Sequence, residues 1–304
     1  RGVPYSEVKT LVKILGKTGG VYATHLRNEE NHVVAAVEEA ITLARETSVP
    51  TIVSHYKPAR GYEDAYSEGF KLIEESHKDT PLWFTSSPSG ENLTPIYMLL
   101  PAWARAGRLE DMQNLITRPE IRARFASESK NIKGKDIRIA QSSHAPYLVG
   151  KTIADIARSM DVGDGAGLVR AMETTALRAV VLQKNINVDF AIQSLRSRRA
   201  LIGSNMPSLR ETSLRDGNDR ASIFPEYLRL TEYLGYMPLR EAVERITSTP
   251  ARLFGLRGRG ALREGYKADL VIMKNGKICD VFVNGFHVVE DGPVRNIYAG
   301  AVLR

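Results

Sequence analysis

Two short β-prone runs, Val21–Thr24 and Thr51–Ser54, each end on a histidine, His25 and His55, and a helix-patterned segment lies between them. Few folds accept that arrangement. A strand, a crossover helix and a second strand running the same way form a parallel pair. The two histidines, 30 residues apart, then leave the sheet at the same end. The neighbouring segments support this reading. Val8–Leu15 has apolar residues at helical spacing and stops at Gly19-Gly20. From Asn31 to Glu46 the chain is amphipathic, with Val33, Val34, Val37, Ile41 and Ala44 on one side. Tyr66–Glu75 is again helical in pattern. Strand and helix in alternation predict an α/β fold with helices outside a parallel sheet.

Further on, the spacing predicts helices at Leu99–Ala106, Ile153–Met160 and Pro238–Ile246, the last continuing through Pro250–Phe254 to Gly255. Arg138–Gln141 and Ala200–Ile202 read as strands. The texture changes near Gly258. From Asp269 onward the chain reads as three short strands, Leu270–Met273, Ile278–Val283 and His287–Val289. Asn284-Gly285 between two of them is a hairpin signal. The expected division is an α/β part over residues 1–257 and a small β unit over 258–304.

The net charge of +7 raises the question of nucleic acid. The basic residues are scattered, however. Their tightest group, Arg196, Arg198 and Arg199, has no aromatic residues interleaved for stacking bases. A solvated basic face or attraction for small anions is the expectation, with no nucleic-acid partner. No apolar run is long enough to span a membrane, and no signal peptide is visible. Cys279 is the single cysteine, which fits a reducing, cytoplasmic setting, and its apolar surroundings predict a small buried hydrophobe.

Functional residues of a parallel α/β barrel gather at the C-terminal ends of its strands. His25 and His55 occupy equivalent ends, so their imidazoles can converge on a zinc ion, which needs nitrogens at about 2.0–2.1 Å. One histidine at a strand end is more often a hydrogen-bonded loop residue; for two at matching positions, ligation and packing both stay open. His144 also ends a strand-like run but has no partner nearby in sequence, and His32, His77 and His287 read as surface or packing residues.

Several segments carry a resemblance to a known family. Gly19-Gly20-Val21-Tyr22-Ala23-Thr24-His25-Leu26-Arg27-Asn28-Glu29 resembles the Gly-Gly-x-Tyr-x-Thr-His-x-Arg-x-Glu segment of the N-acyl-D-amino-acid deacylases, which are zinc-dependent amidohydrolases. Ser54-His55-Tyr56-Lys57 is similar to that family's Ser-His-x-Lys, and Leu99-Leu100-Pro101-Ala102-Trp103 to its leucine-leucine-proline segment. Thr247–Ala251 and Gly265–Val271 match its closing motifs, the last of which many amidohydrolases share. The resemblance runs nearly end to end, with the motifs in order. It implies a partial (β/α)8 TIM barrel of the metal-dependent amidohydrolase type over residues 1–257. Residues 258–304 would then form the C-terminal part of a small β-sandwich. By the same resemblance His25 and His55 are ligands of Zn2+, Lys57 binds substrate, and Arg220, or else Arg215, pairs with the substrate carboxylate. The implied reaction removes the acyl group from small-molecule N-acyl-D-amino acids.

The departures are equally specific. The family's last barrel strand ends in Gly-Ser-Asp, whose aspartate is metal ligand and general base; this chain has Gly203-Ser204-Asn205. An amide accepts no proton from water at neutral pH. The family's Tyr-Pro-Tyr segment is Ser87-Pro88-Ser89 here. The family's first-strand His-x-His pair and a bridging cysteine belong to a region before Arg1. A half barrel would expose sheet edges and an apolar face. The chain is therefore expected to be part of a longer one, or to be complemented by an N-terminal half or by a homo-oligomer. Two further functions stay open: hydrolysis of cyclic amides, in the manner of dihydroorotases and hydantoinases, and a non-catalytic descendant that binds a ligand or partner.

Overall fold

The computed structural model describes residues 3–204, 218–274 and 276–302. The chain divides into two compact units. One comprises Arg1–Pro88, Asn187–Ser204 and Arg220–Arg304, and the other includes Ser89–Ile186.

In the first unit, α1 (Tyr5–Gly16) leads into β1 (Tyr22–Thr24), α2 (Val33–Thr47), β2 (Thr51–Val53), α3 (Glu63–Glu75) and β3 (Leu82–Ser86). In α2, Val33, Ala36, Val37, Ala40, Leu43 and Ala44 are buried, a stripe at three- and four-residue spacing. Ser48 ends that helix in a left-handed conformation, with its N–H on the Ala44 carbonyl. Glu63 and Asp64 occupy the first turn of α3, where the helix dipole favours negative charge. Tyr66, Gly69 and Ile73 face inward. Gly69 has to be small, because a Cβ there would lie 2.7 Å from the Tyr56 hydroxyl.

The second unit contains β4 (Asn92–Pro95), α4 (Leu109–Ile116), α5 (Pro119–Glu128), β5 (Ile137–Gln141), α6 (Ile153–Ser159), α7 (Asp164–Thr174) and β6 (Val180–Gln183). Its strands form an antiparallel sheet in the order β4-β6-β5. Thr152 caps α6: its Oγ1 accepts from the Asp155 N–H, and the Asp155 carboxylate accepts from the Thr152 N–H in return. The helix expected over Leu99–Ala106 is replaced by two 3₁₀ turns, Ile96–Leu99 and Ala102–Ala104. Pro101 sits between them, and a proline there denies the N–H that a continuous helix requires.

The chain then returns to the first unit through α8 (Val188–Ser194) and β7 (Ala200–Ile202), followed by α9 (Asn218–Leu234), α10 (Leu239–Ile246) and α11 (Ser248–Leu253). The parallel sheet has the order β1-β2-β3-β7. Tyr22 pairs with Thr51 and Thr51 with Leu82, while Phe84 pairs with both Val53 and Ala200. Val53, Leu82, Phe84, Ala200 and Ile202 share one face and pack into a core with Val37, Ala40, Tyr66 and Ile73. The sequence reading passed over β3, a central strand of this sheet.

Two arginines fasten the N-terminal end of the sheet. Arg199, just before β7, donates to the carbonyls of Ser76, His77, Thr80 and Leu82. Arg245 of α10 is buried and donates to the Leu195 and Ser197 carbonyls at 2.6 Å each and to Glu241 at 2.7 Å. In the basic group found by sequence, Arg199 is therefore committed to backbone, and Arg196 lies over the Tyr236 ring at 5.4 Å.

The tail forms an antiparallel sheet of β8 (Leu270–Lys274), β9 (Lys277–Val283) and β10 (Phe286–Val289), with β9 in the middle. Asn284 and Gly285 both have positive φ, as a tight hairpin turn requires. Asp269 locks this turn: its carboxylate accepts from the Asn284 N–H at 2.8 Å and pairs with Arg259, which donates to Asn284 Oδ1 at 2.7 Å. Burial pushes the Asp269 carboxyl up, but the Asn284 N–H and Arg259 outweigh it and hold it below the usual carboxylate range. Cys279 is half-buried in β9. Among the described residues, no helix is long and apolar enough to cross a membrane.

Candidate metal centre

The C-terminal rim of the parallel sheet brings the two strand-end histidines together. His25 follows β1 directly, and His55 follows β2 after Ser54, whose N–H bonds to the Thr24 carbonyl at 2.8 Å. The rings lie 4.4 Å apart between centroids, and His25 Nδ1 faces His55 Nε2 in direct contact. Glu29 joins them. Its Oε1 is 3.4 Å from His55 Nδ1. One ligand atom from each of His25, Glu29 and His55 can be chosen so that all lie within 4.8 Å of one another.

This donor set fits a divalent metal. Two imidazole nitrogens and a carboxylate oxygen are borderline-hard ligands suited to zinc and its neighbours. Donors on one zinc lie at most about 4 Å apart, twice the bond length. The histidine pair meets that limit, and the Glu29 carboxylate stands beside it, 3.4 Å from His55 Nδ1, with its side chain 41% exposed. Burial, then the charges of His25 and Lys57, push the His55 imidazole down to about 4. Its lone pair is thus available at neutral pH, as ligation requires.

Lys57, two residues beyond His55, is buried, with its Nζ donating to Ser87 Oγ at 3.1 Å. Burial pushes its ammonium down to about 8. Ser87 directly follows β3, so the lysine and hydroxyl stand at the same rim as the histidines.

Sequence reasoning overlooked Glu29 as a metal donor, although it stands in the quoted motif, and Ser87 as the partner of Lys57. A carboxylate four residues past a histidine carries no signal of its own outside a regular element. His144 lies in the other unit, where its Nδ1 meets Ser143 Oγ at 3.3 Å. Asn205 and Arg215 fall outside the described residues, and Arg220 lies at the start of α9, where side chains are not described.

A model of the amidohydrolase family matches residues 210–291. The N-acyl-D-aspartate deacylase of Alcaligenes xylosoxydans xylosoxydans is 26% identical over 267 residues, 87% of this chain and 46% of that protein. The D-aminoacylase of the same organism is 25% identical over 314 residues, 98% of this chain and 57% of that protein. The chain is similar to D-aminoacylases, and a C-terminal stretch of it matches the amidohydrolase family. Among solved structures, a D-aminoacylase superposes with a TM-score of 0.71 at 24% identity, covering 98% of this chain and 58% of that one. The N-acyl-D-glutamate deacylase of Bordetella bronchiseptica, solved with zinc and a phosphonate mimic of the tetrahedral intermediate, gives 0.70 at 22% identity, covering 96% and 57%. The chain spans about half the length of the curated relatives it matches.

Proposed function

We propose that this chain carries part of the active site of a zinc-dependent hydrolase that removes the acyl group from N-acyl-D-amino acids. The observation that supports this is the convergence of His25, His55 and Glu29 beside the buried Lys57. In this reading residues 1–257 are the later part of a (β/α)8 barrel, with Ser89–Ile186 as an inserted unit. Residues 258–304 are a share of a small β-sandwich. The rest of the barrel would come from further sequence of the same protein, or from a second subunit. A cytoplasmic setting rests on the single cysteine.

His25 and His55 would hold the metal, with Glu29 as a third donor. Zinc bound there would supply Lewis acidity, polarising the amide carbonyl and making water a competent nucleophile near neutral pH. Lys57, mostly an ammonium at pH 7, would pair with a carboxylate or with the developing oxyanion of the substrate, and Ser87 would hold its Nζ in place. Arg220 or Arg215 would take the amino-acid carboxylate bidentately. Hydrolysis adds water across the C–N bond: the carbonyl carbon gains the oxygen, and the leaving nitrogen gains a proton. A general base has to carry that proton, and Asn205 cannot. Asn205 therefore favours a second reading, a non-catalytic descendant that keeps the site for binding.

Full-length protein loaded with zinc and assayed on N-acetyl-D-amino acids separates the two. Loss of a positioned base costs about 10²–10⁴-fold in rate, so Asn205→Asp should raise amine release by a factor in that range. Equal and substantial activity in both versions would place the base elsewhere, with Glu29 tested next by Glu29→Gln. Activity in neither, together with no zinc found by elemental analysis, would sink the hydrolase reading. Activity on cyclic amides in place of N-acyl amino acids would redirect it to that class.

A further inference from the structure

At the exit of β2 the parallel ladder slips by one residue. The Thr51 N–H bonds to the Pro81 carbonyl. Alternate residues of a strand face the same neighbour, so an unbroken ladder would bring the His55 N–H onto the Thr85 carbonyl. Instead the Tyr56 N–H takes that carbonyl at 2.7 Å. The His55 N–H donates to the Thr85 hydroxyl oxygen, also at 2.7 Å. The extra residue is His55 itself, in the left-handed region at φ 41°. Residues other than glycine adopt that conformation uncommonly, histidine more readily than most, and here backbone and hydroxyl contacts fix it. A bulge of this kind turns a side chain away from the face the strand's alternation would give it.

The neighbouring strand leaves room for this grip. A Cβ at Gly203, just past β7, would sit 3.2 Å from Thr85 Cβ and 3.5 Å from Oγ1. A side chain at 203 would press on Thr85 Cβ by a few tenths of an ångström, so the absence of one leaves Thr85 undisturbed.

We infer that Thr85 is a positioning residue for the metal centre. Its hydroxyl and carbonyl accept two successive N–H groups, hold the kink at His55, and so aim the imidazole Nε2 at His25 Nδ1. This rests on the reading of His25 and His55 as ligands. The functional contribution belongs to one oxygen atom, so serine should replace threonine and valine should not, although valine matches the shape.

Two measurements on the full chain test this. In a zinc titration against a competing chelator, Thr85→Val should weaken affinity about 10–100-fold, as loss of an outer partner to a ligand does, while Thr85→Ser stays close to the parent. In the metal-free protein, amide hydrogen exchange should show the His55 N–H protected in the parent and in Thr85→Ser, and unprotected in Thr85→Val. Thr85→Ala removes the same acceptor without adding bulk and serves if the valine variant does not fold. Unchanged zinc affinity in the valine or alanine variant would overturn the inference, as would a His55 amide that stays protected. A parent chain that takes up no zinc would instead overturn the ligand assignment, and the exchange measurement would still decide the role of the hydroxyl.

Discussion

The two ends of the parallel sheet use their cationic side chains in opposite ways. At the N-terminal end, Arg199 and Arg245 spend their donors on backbone carbonyls and, for Arg245, on Glu241. At the C-terminal rim, two imidazoles, a carboxylate and an ammonium converge, and burial works against the charged forms of His55 and Lys57. One end joins elements that the chain must bring together. The other holds polar groups in places that stability alone would not choose. Barrel-like α/β folds divide labour in this way, with structure at one mouth and chemistry at the other.

The largest expected effect lies at the structural end. Arg245→Ala would leave the Leu195 and Ser197 carbonyls without their donor in a buried site. Urea denaturation should show a loss of about 3 kcal/mol in unfolding free energy, from two unsatisfied buried groups at about 1–3 kcal/mol each. Zinc affinity of the folded fraction should stay as it was. A variant that kept its stability and lost zinc would erase the contrast. His25→Ala should do the reverse. It should weaken zinc binding by about 100-fold or more, the upper end for partners outside the ligand set, with thermal stability of the metal-free protein nearly unchanged.

Lys57→Met sharpens the contrast in sign. Burial disfavours this ammonium, and with the lost bond to Ser87 set against that, replacing it with a methionine should stabilise the fold by about 1–2 kcal/mol. Calorimetry should show a higher Tm, and the proposed hydrolysis by the full-length protein should fall. A lower Tm would mean that the lysine holds the rim together. The smallest effect belongs to the tail. Asp269→Asn should cost about 1 kcal/mol, the worth of one hydrogen-bonded charge partly open to solvent. Because its folded pKa is depressed, that contribution is present above the unfolded value of about 3.9 and disappears as pH falls through the lower folded value. The parent and variant should therefore differ in chemical denaturation at pH 7 and converge at acid pH.

The repeated strand-then-histidine pattern was legible because it is local: each strand and its histidine are adjacent in sequence, and the crossover has a standard length. The segment Leu82–Ser86 was not, because it runs into Ser87-Pro88-Ser89-Gly90, which has loop composition. Its alternating burial belongs to the folded sheet. Missing that strand hid Thr85 and Ser87 together. Arg199 shows the same limit from another side. Three arginines in four residues read as a surface charge, yet one is bound by a loop more than a hundred residues earlier, which no local pattern can reveal.

The left-handed backbone at His55 has a consequence for substitution. Glycine or asparagine would occupy position 55 with less backbone strain than histidine. Either replacement would ease the backbone and remove a candidate ligand, so the demands of stability and of metal binding pull on this one position in opposite directions.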